Sequence, residues 1–237
     1  MMWLLAISFG LYLFSLWKRP LFYAGLAFQT AYIISRGLEL SRLPLVGPHD
    51  TLVFMTASMA AFAIPVGASL KEKGVFYNAA AISAAVFTAF AMTAAQSNHP
   101  LPPILKTFWF EAHVVLAFMS YALFGISAIL GGLYLKNRQD HVEGLGYKTV
   151  LTGYSLFSLS MIFGGIWAYL AWGTYWIWTP KELWTSILWI YYSFYLHARL
   201  RQWWTGRPMA WLGIVGFGVV MFTYLGVSLL MKSSHSF

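Results

Sequence analysis

Eight apolar runs follow one another along this chain with only short polar joints between them. They cover about 1–17, 20–36, 51–70, 75–95, 110–135, 149–171, 181–198 and 209–231, against the roughly 20 apolar residues a helix needs to cross a bilayer. The expected fold is therefore all-α, a polytopic membrane helix bundle with about eight transmembrane helices. Composition agrees. The chain is 59% hydrophobic and 9% charged, whereas soluble domains carry about 25% charged residues. A soluble chain this apolar would expose large greasy patches. With 237 residues, eight spans leave only short loops, so residues 1–237 read as a single membrane domain.

Charge sets the expected orientation. The first run lacks a basic segment before it, and Lys18 and Arg19 follow it, which is the pattern of an anchor and not of a cleaved signal peptide. With the N-terminus outside, the inner joints hold Lys18, Arg19, Lys71, Lys73, Lys136, Arg138, Lys148, Arg199, Arg201 and Arg207. The outer side holds Arg36, Arg42, Lys106, Lys181 and Lys232. Basic residues concentrate on the inner side of membrane proteins, so both termini are expected on the outer, periplasmic side of a bacterial inner membrane. The same bias accounts for the net charge of +8 and removes the case for a nucleic-acid partner. The absence of cysteine excludes disulfides, thiolate metal sites and Cys nucleophiles.

The histidines separate by context. His49, His99 and His141 sit among turn formers and polar neighbours, where solvated loop residues are expected. His113 stands at the start of an apolar helix and His235 just past the last run. Both fall at the outer membrane level. Each is either an interfacial residue or half of a shared ligand pair. His197 lies near the inner end of the seventh run. An ionisable residue inside a span is a functional candidate, with snorkelling beside Arg199 as the alternative. No histidine is expected at mid-membrane, which speaks against an electron-transfer subunit that buries paired histidines around haem.

The densest signal is an external loop at about 165–184, centred on Trp172-Gly173-Thr174-Tyr175-Trp176-Ile177-Trp178-Thr179-Pro180-Lys181-Glu182. Six of the twelve tryptophans fall between Trp167 and Trp189. An interfacial aromatic belt places tryptophan at this depth, but it does not gather three within seven residues. Concentrated indoles are expected to form a flat apolar platform for a flat apolar ligand. Thr179-Pro180-Lys181-Glu182 also fits a capping box that starts the seventh helix.

This loop, continuing to Tyr195-Leu196-His197-Ala198-Arg199, resembles the WWD signature of the haem-handling superfamily in its CcsA, or ResC, branch, the system II cytochrome c synthases. Leu101-Pro-Pro-Ile-Leu-Lys-Thr-Phe-Trp-Phe-Glu-Ala-His113 is similar to the segment leading to that family's first external haem-ligand histidine. His235-Ser-Phe is similar to its second. The resemblance covers about residues 100–237 in sequence. The chain departs from it at Thr179, where the family usually has Asp; Thr caps a helix nearly as well.

The resemblance implies cytochrome c biogenesis: covalent attachment of haem b (iron protoporphyrin IX) to the Cys-x-x-Cys-His segment of an apocytochrome c. His113 and His235 would be axial iron ligands. Trp167, Trp172, Gly173, Trp176, Trp178 and Glu182 would form the haem-binding loop. His197 would ligate haem at an inner site completed by a CcsB- or ResB-type membrane partner. Lys181, Arg42, Lys106 and Lys232 are candidate cations for the propionates. No catalytic group separate from the haem ligands is expected, because the reacting thiols belong to the substrate; a thiol-reducing partner keeps them reduced. The alternatives are a haem exporter or delivery protein without ligase activity, and a haem-b electron-transfer subunit.

Overall fold

The computed structural model describes residues 1–202 and 204–230. Among them, every regular element is helical. The helices are α1 (Met2–Phe14), α2 (Pro20–Leu40), α3 (Pro48–Ala68), α4 (Lys73–Thr93), α5 (Phe108–Asn137), α6 (Asp140–Trp172), α7 (Pro180–Leu200) and α8 (Arg207–Met221). A π-turn over Phe222–Gly226 extends α8 into a final turn, α9 (Val227–Leu230). A short 3₁₀ turn, Pro103–Leu105, precedes α5.

Each expected run contains a helix, so the 3.6-residue backbone period and apolar length do agree. By length and hydropathy, five helices among the described residues qualify as membrane spans: α3, α4, α5, α6 and α8 with its π-turn. α1 has 13 residues, about 20 Å at 1.5 Å per residue, short of a core roughly 30 Å thick. α7 carries Lys181, Glu182, His197 and Arg199, which dilutes its hydropathy.

Two expected boundaries are wrong. The external loop expected at about 165–184 is helical except for residues 173–179, so Trp167 and Trp172 stand on α6 and Glu182 on α7. Residues 136–148 were expected as an inner loop, and they are almost wholly helical. α5 runs to Asn137, only Arg138 and Gln139 intervene, and α6 starts at Asp140. Arg138 takes φ 54°, the left-handed conformation that ends helices. Asp140 and Glu143 then sit in the first turn of α6, where carboxylates suit the positive end of the helix dipole. Hydropathy marks where a helix leaves lipid, not where it stops. His141 therefore lies in a helical first turn.

The helices form two compact units, Met1–Pro100 and Leu101–Phe237. In the first, α1, α2, α3 and α4 share a core threaded by polar contacts. The Tyr12 hydroxyl donates to Gln29 Oε1 at 2.7 Å, and Gln29 Nε2 donates to the Val53 carbonyl at 3.2 Å. Arg36, only 2% exposed, faces Asp50 at 3.4 Å and donates to Asn98 Oδ1 at 2.7 Å. A buried charge needs such partners. His49 belongs to this core. It was expected as a solvated loop residue, yet it stands in the first turn of α3 and is 1% exposed. A carbonyl only accepts, so His49 Nδ1–H donates to Ala91 at 2.6 Å, and Nε2 accepts from the Tyr32 hydroxyl at 2.6 Å.

In the second unit, α5 packs along α6 and against α8, with α7 bridging α6 and α8. Small residues permit the close approach. A Cβ at Gly131 would stand 2.7 Å from the Ala210 carbonyl oxygen. Phe124 and Tyr192 stack at 3.6 Å between α5 and α7.

Candidate functional site

The site is assembled at the end of the second unit where α5 starts and α6 stops. Thr107 caps α5 by accepting from the Phe110 amide, and His113 comes one turn later on the side facing α6. Its Nδ1 lies 2.8 Å from the Ser160 carbonyl, while Ser160 Oγ donates back to the His113 carbonyl at 2.8 Å. The carbonyl requires a proton on Nδ1, so the lone pair of the ring belongs to Nε2. Metal-ligating histidines use this arrangement, giving the second N–H to a carbonyl that fixes tautomer and ring plane. Gly164, one turn after Ser160, makes the position possible: a Cβ there would stand 2.6 Å from His113 Nδ1 and 2.9 Å from Cε1. Of the adjacent pair Gly164 and Gly165, the first is thus allocated to the His113 ring.

Aromatic rings cover the same end. Trp109 packs on Phe163 at 5.5 Å and Phe110 on Trp167 at 5.2 Å. Trp167 is buried, and its indole N–H donates to the Ile104 carbonyl at 2.8 Å, tying the 3₁₀ turn before α5 to the last turns of α6. Trp172 meets Trp167 at 4.8 Å and 71°. Gly173, at φ +74°, ends α6. Trp176 and Trp178 meet at 6.5 Å and 81°. The indoles are therefore set edge to face and do not lie in one flat sheet, as electrostatically preferred for aromatic pairs. Trp178 is 69% exposed and adopts φ +59°, a costly conformation for a bulky residue.

The strap that holds Trp178 is the predicted capping box. Thr179 Oγ1 accepts from the Glu182 amide at 3.3 Å, and Glu182 Oε2 accepts from the Thr179 amide at 2.8 Å. Glu182 also accepts from the Ile177 amide at 3.1 Å. One carboxylate thus binds the amides on both sides of Trp178, a constraint the local motif did not announce.

Sequence-predicted residues divide into groups. His113, Trp167 and Trp172 are brought together, and Gly173, Trp176, Trp178 and Glu182 follow in the adjoining loop. His197 is not with them. It lies on an exposed face of α7 with Ile190 and Phe194, 15 residues after Glu182, or about 22 Å along a helix. His235 and Lys232 lie outside the described residues. Lys181 is half-buried in the first turn of α7, Lys106 is exposed beside Thr107, and Arg42 donates to the Ser97 carbonyl in the first unit. Reading the sequence missed Ser160 and Gly164 as partners of His113, since nothing local links positions that far apart.

Comparison with known proteins places the chain among cytochrome c assembly proteins. The chain is 31% identical to the cytochrome c biogenesis protein CcsA of Guillardia theta, over 88% of this chain and 81% of the relative. It is 29% identical to CcsA of Prochlorococcus marinus strain NATL1A, over 89% and 81%. The Chlamydomonas reinhardtii CcsA is 35% identical over 60% of this chain and 44% of that protein. In fold, the cytochrome c heme lyase CcmF superposes with a TM-score of 0.72 at 15% identity, covering 94% of this chain and 45% of CcmF. Residues 48–235 match the cytochrome C assembly protein family, a stretch that contains the whole site, and the chain belongs to that family.

Proposed function

We propose that this protein works in cytochrome c biogenesis as a multi-pass membrane haem handler. It binds haem b beside the tryptophan loop and attaches or presents it to the Cys-x-x-Cys-His motif of an apocytochrome c. The observation that supports this most is His113, held through Nδ1–H by the Ser160 carbonyl in a notch that only glycine at 164 allows. A half-buried imidazole with a fixed tautomer beside a cluster of indoles suits an iron porphyrin, which needs an axial nitrogen and apolar walls.

In this reading His113, through Nε2, and His235 would hold the haem iron. Trp172, Trp176 and Trp178 shield the ring from water, and Glu182 keeps the loop in place. When bound, the haem supplies two vinyl groups across which the substrate thiols add. The protein contributes orientation, which by itself accelerates a reaction between held partners. His197, exposed on α7, would serve a second haem site completed by a CcsB-type partner. The haem site faces the periplasm, with thiols kept reduced by a separate partner.

The test is an absorption spectrum of the purified full-length protein. The wild type should carry haem with a low-spin bis-histidine spectrum. His113→Gly should lose most of it, and free imidazole should restore it. Full haem content with an unchanged spectrum in His113→Gly would overturn the assignment.

A further inference from the structure

At the end of the second unit away from the tryptophan loop, the α5–α6 and α7–α8 joints open onto one cavity of about 670 Å³. Its polar lining includes Tyr134, Arg138, Asp140, Glu143, Arg199 and Arg207. Three guanidinium groups face two carboxylates, an excess of one positive charge. Arg199 and Glu143 are matched to each other, Nε to Oε1 at 2.7 Å and Nη2 to Oε2 at 3.0 Å. That leaves Arg138 and Arg207 with Asp140.

Arg207 is placed against local electrostatics. It is the first residue of α8, whose N-cap, Gly206, offers no side chain, and no acidic residue stands in the first turn. The positive end of the helix dipole disfavours a cation there. Arg207 has no hydrogen bond or ion pair among the described residues. A bound anion would satisfy the guanidinium and the helix end together.

Tyr134 points to the same ligand independently. It is only 9% exposed, and its hydroxyl has no hydrogen-bond partner among the described residues. The hydroxyl reaches the cavity wall at Gly206, where a Cβ would stand 2.6 Å from it. Gly206 holds φ +70°, so both the backbone and the phenol require glycine. The hydroxyl opens onto the cavity, where an anion would supply its acceptor.

Depth identifies the anion. α6 has 33 residues, about 50 Å, and its far end reaches the tryptophan loop. The hydrocarbon core spans about 30 Å, and roughly 40–45 Å with headgroups. The first turn of α6, at the cavity, therefore stands at headgroup depth, where basic pockets between helices take anionic headgroups.

We propose that this cavity binds the phosphate of an acidic phospholipid headgroup, with Arg207 and Arg138 as counter-charges and the Tyr134 hydroxyl as hydrogen-bond donor. The site is separate from the haem reading and does not depend on it. The experiment compares thermal unfolding of the full chain in phosphatidylcholine nanodiscs with and without phosphatidylglycerol. Phosphatidylglycerol should raise the unfolding temperature, and native mass spectrometry should find it retained. Arg207→Gln and Tyr134→Phe should each weaken retention by about tenfold, the scale of one charge-assisted hydrogen bond. Arg201→Gln, an equal charge change at the same end but off the cavity lining, should leave it unaltered. Equal losses in Arg201→Gln and Arg207→Gln would mean general surface charge and overturn the site. No gain from phosphatidylglycerol would overturn it too. If millimolar inorganic phosphate in phosphatidylcholine reproduces the whole gain, the lipid is overturned as the source of the phosphate.

Discussion

His113 and His49 begin from similar positions and end as different residues. Each stands near the start of an apolar helix, and each has Nδ1 against a backbone carbonyl, that of Ser160 at 2.8 Å or that of Ala91 at 2.6 Å. His49 then closes its second nitrogen on the Tyr32 hydroxyl at 2.6 Å and is sealed from solvent. Its neighbour Gln96 donates to the same hydroxyl at 3.2 Å. His113 is half-buried, at the helix end where Trp109 and Trp167 pack on Phe163 and Phe110. A carbonyl on one ring nitrogen fixes a tautomer in both cases. Burial of the whole ring, and not its tautomer, separates the core histidine from the ligand candidate.

The sharpest way to break this comparison is to delete each ring. His113→Gly should abolish most haem binding while the fold persists, and imidazole should refill the gap. His49→Gly should behave in the opposite manner. It would empty a sealed site and take one hydrogen bond each from the Ala91 carbonyl and the Tyr32 hydroxyl, at about 1 kcal/mol apiece. The expected result is a lower unfolding midpoint that added imidazole does not repair. If imidazole restores the His49 variant as well, the difference in accessibility is illusory.

A finer probe keeps His113 and moves it. Gly164→Ala introduces a methyl 2.6 Å from Nδ1, which must displace the ring, whereas Gly165→Ala meets nothing closer than 3.8 Å. Haem titration should show Gly164→Ala weakened about tenfold, comparable to losing one supporting contact around a metal ligand, and Gly165→Ala near wild type. Equal affinities would show that the notch at 164 does not govern the ring.

The smallest effect concerns Thr179. Thr179→Val removes the acceptor of the Glu182 amide and should destabilise the start of α7 by about 1 kcal/mol, seen as faster amide exchange over the first turn. Thr179→Asp and Thr179→Ser should keep both stability and haem content. A several-fold gain in haem attachment with Asp would instead assign a charge role to this position.

The capping box was legible in the sequence because it depends on residues three apart and on nothing else. The same holds for the helical content and the placement of most helices, since apolar length and backbone hydrogen bonding act locally. The family resemblance also came from contiguous residues, 172–182 and 195–199. What depended on distant partners was not legible. The Gly-Pro-His-Asp context announced a solvated His49, and Tyr32 of α2 and Ala91 of α4 enclosed it. Nothing near His113 named Ser160 or Gly164, 47 and 51 residues away. The clustered tryptophans predicted a flat platform, but ring angles are set by packing, and quadrupoles favour edges over faces. The extra turns of α6 carried no apolar signal because polar residues such as Asp140, His141, Glu143 and Lys148 fill them. Hydropathy and capping are properties of neighbours along the chain; tautomers, notches and cavities are properties of neighbours in space, and only the folded helices bring those together.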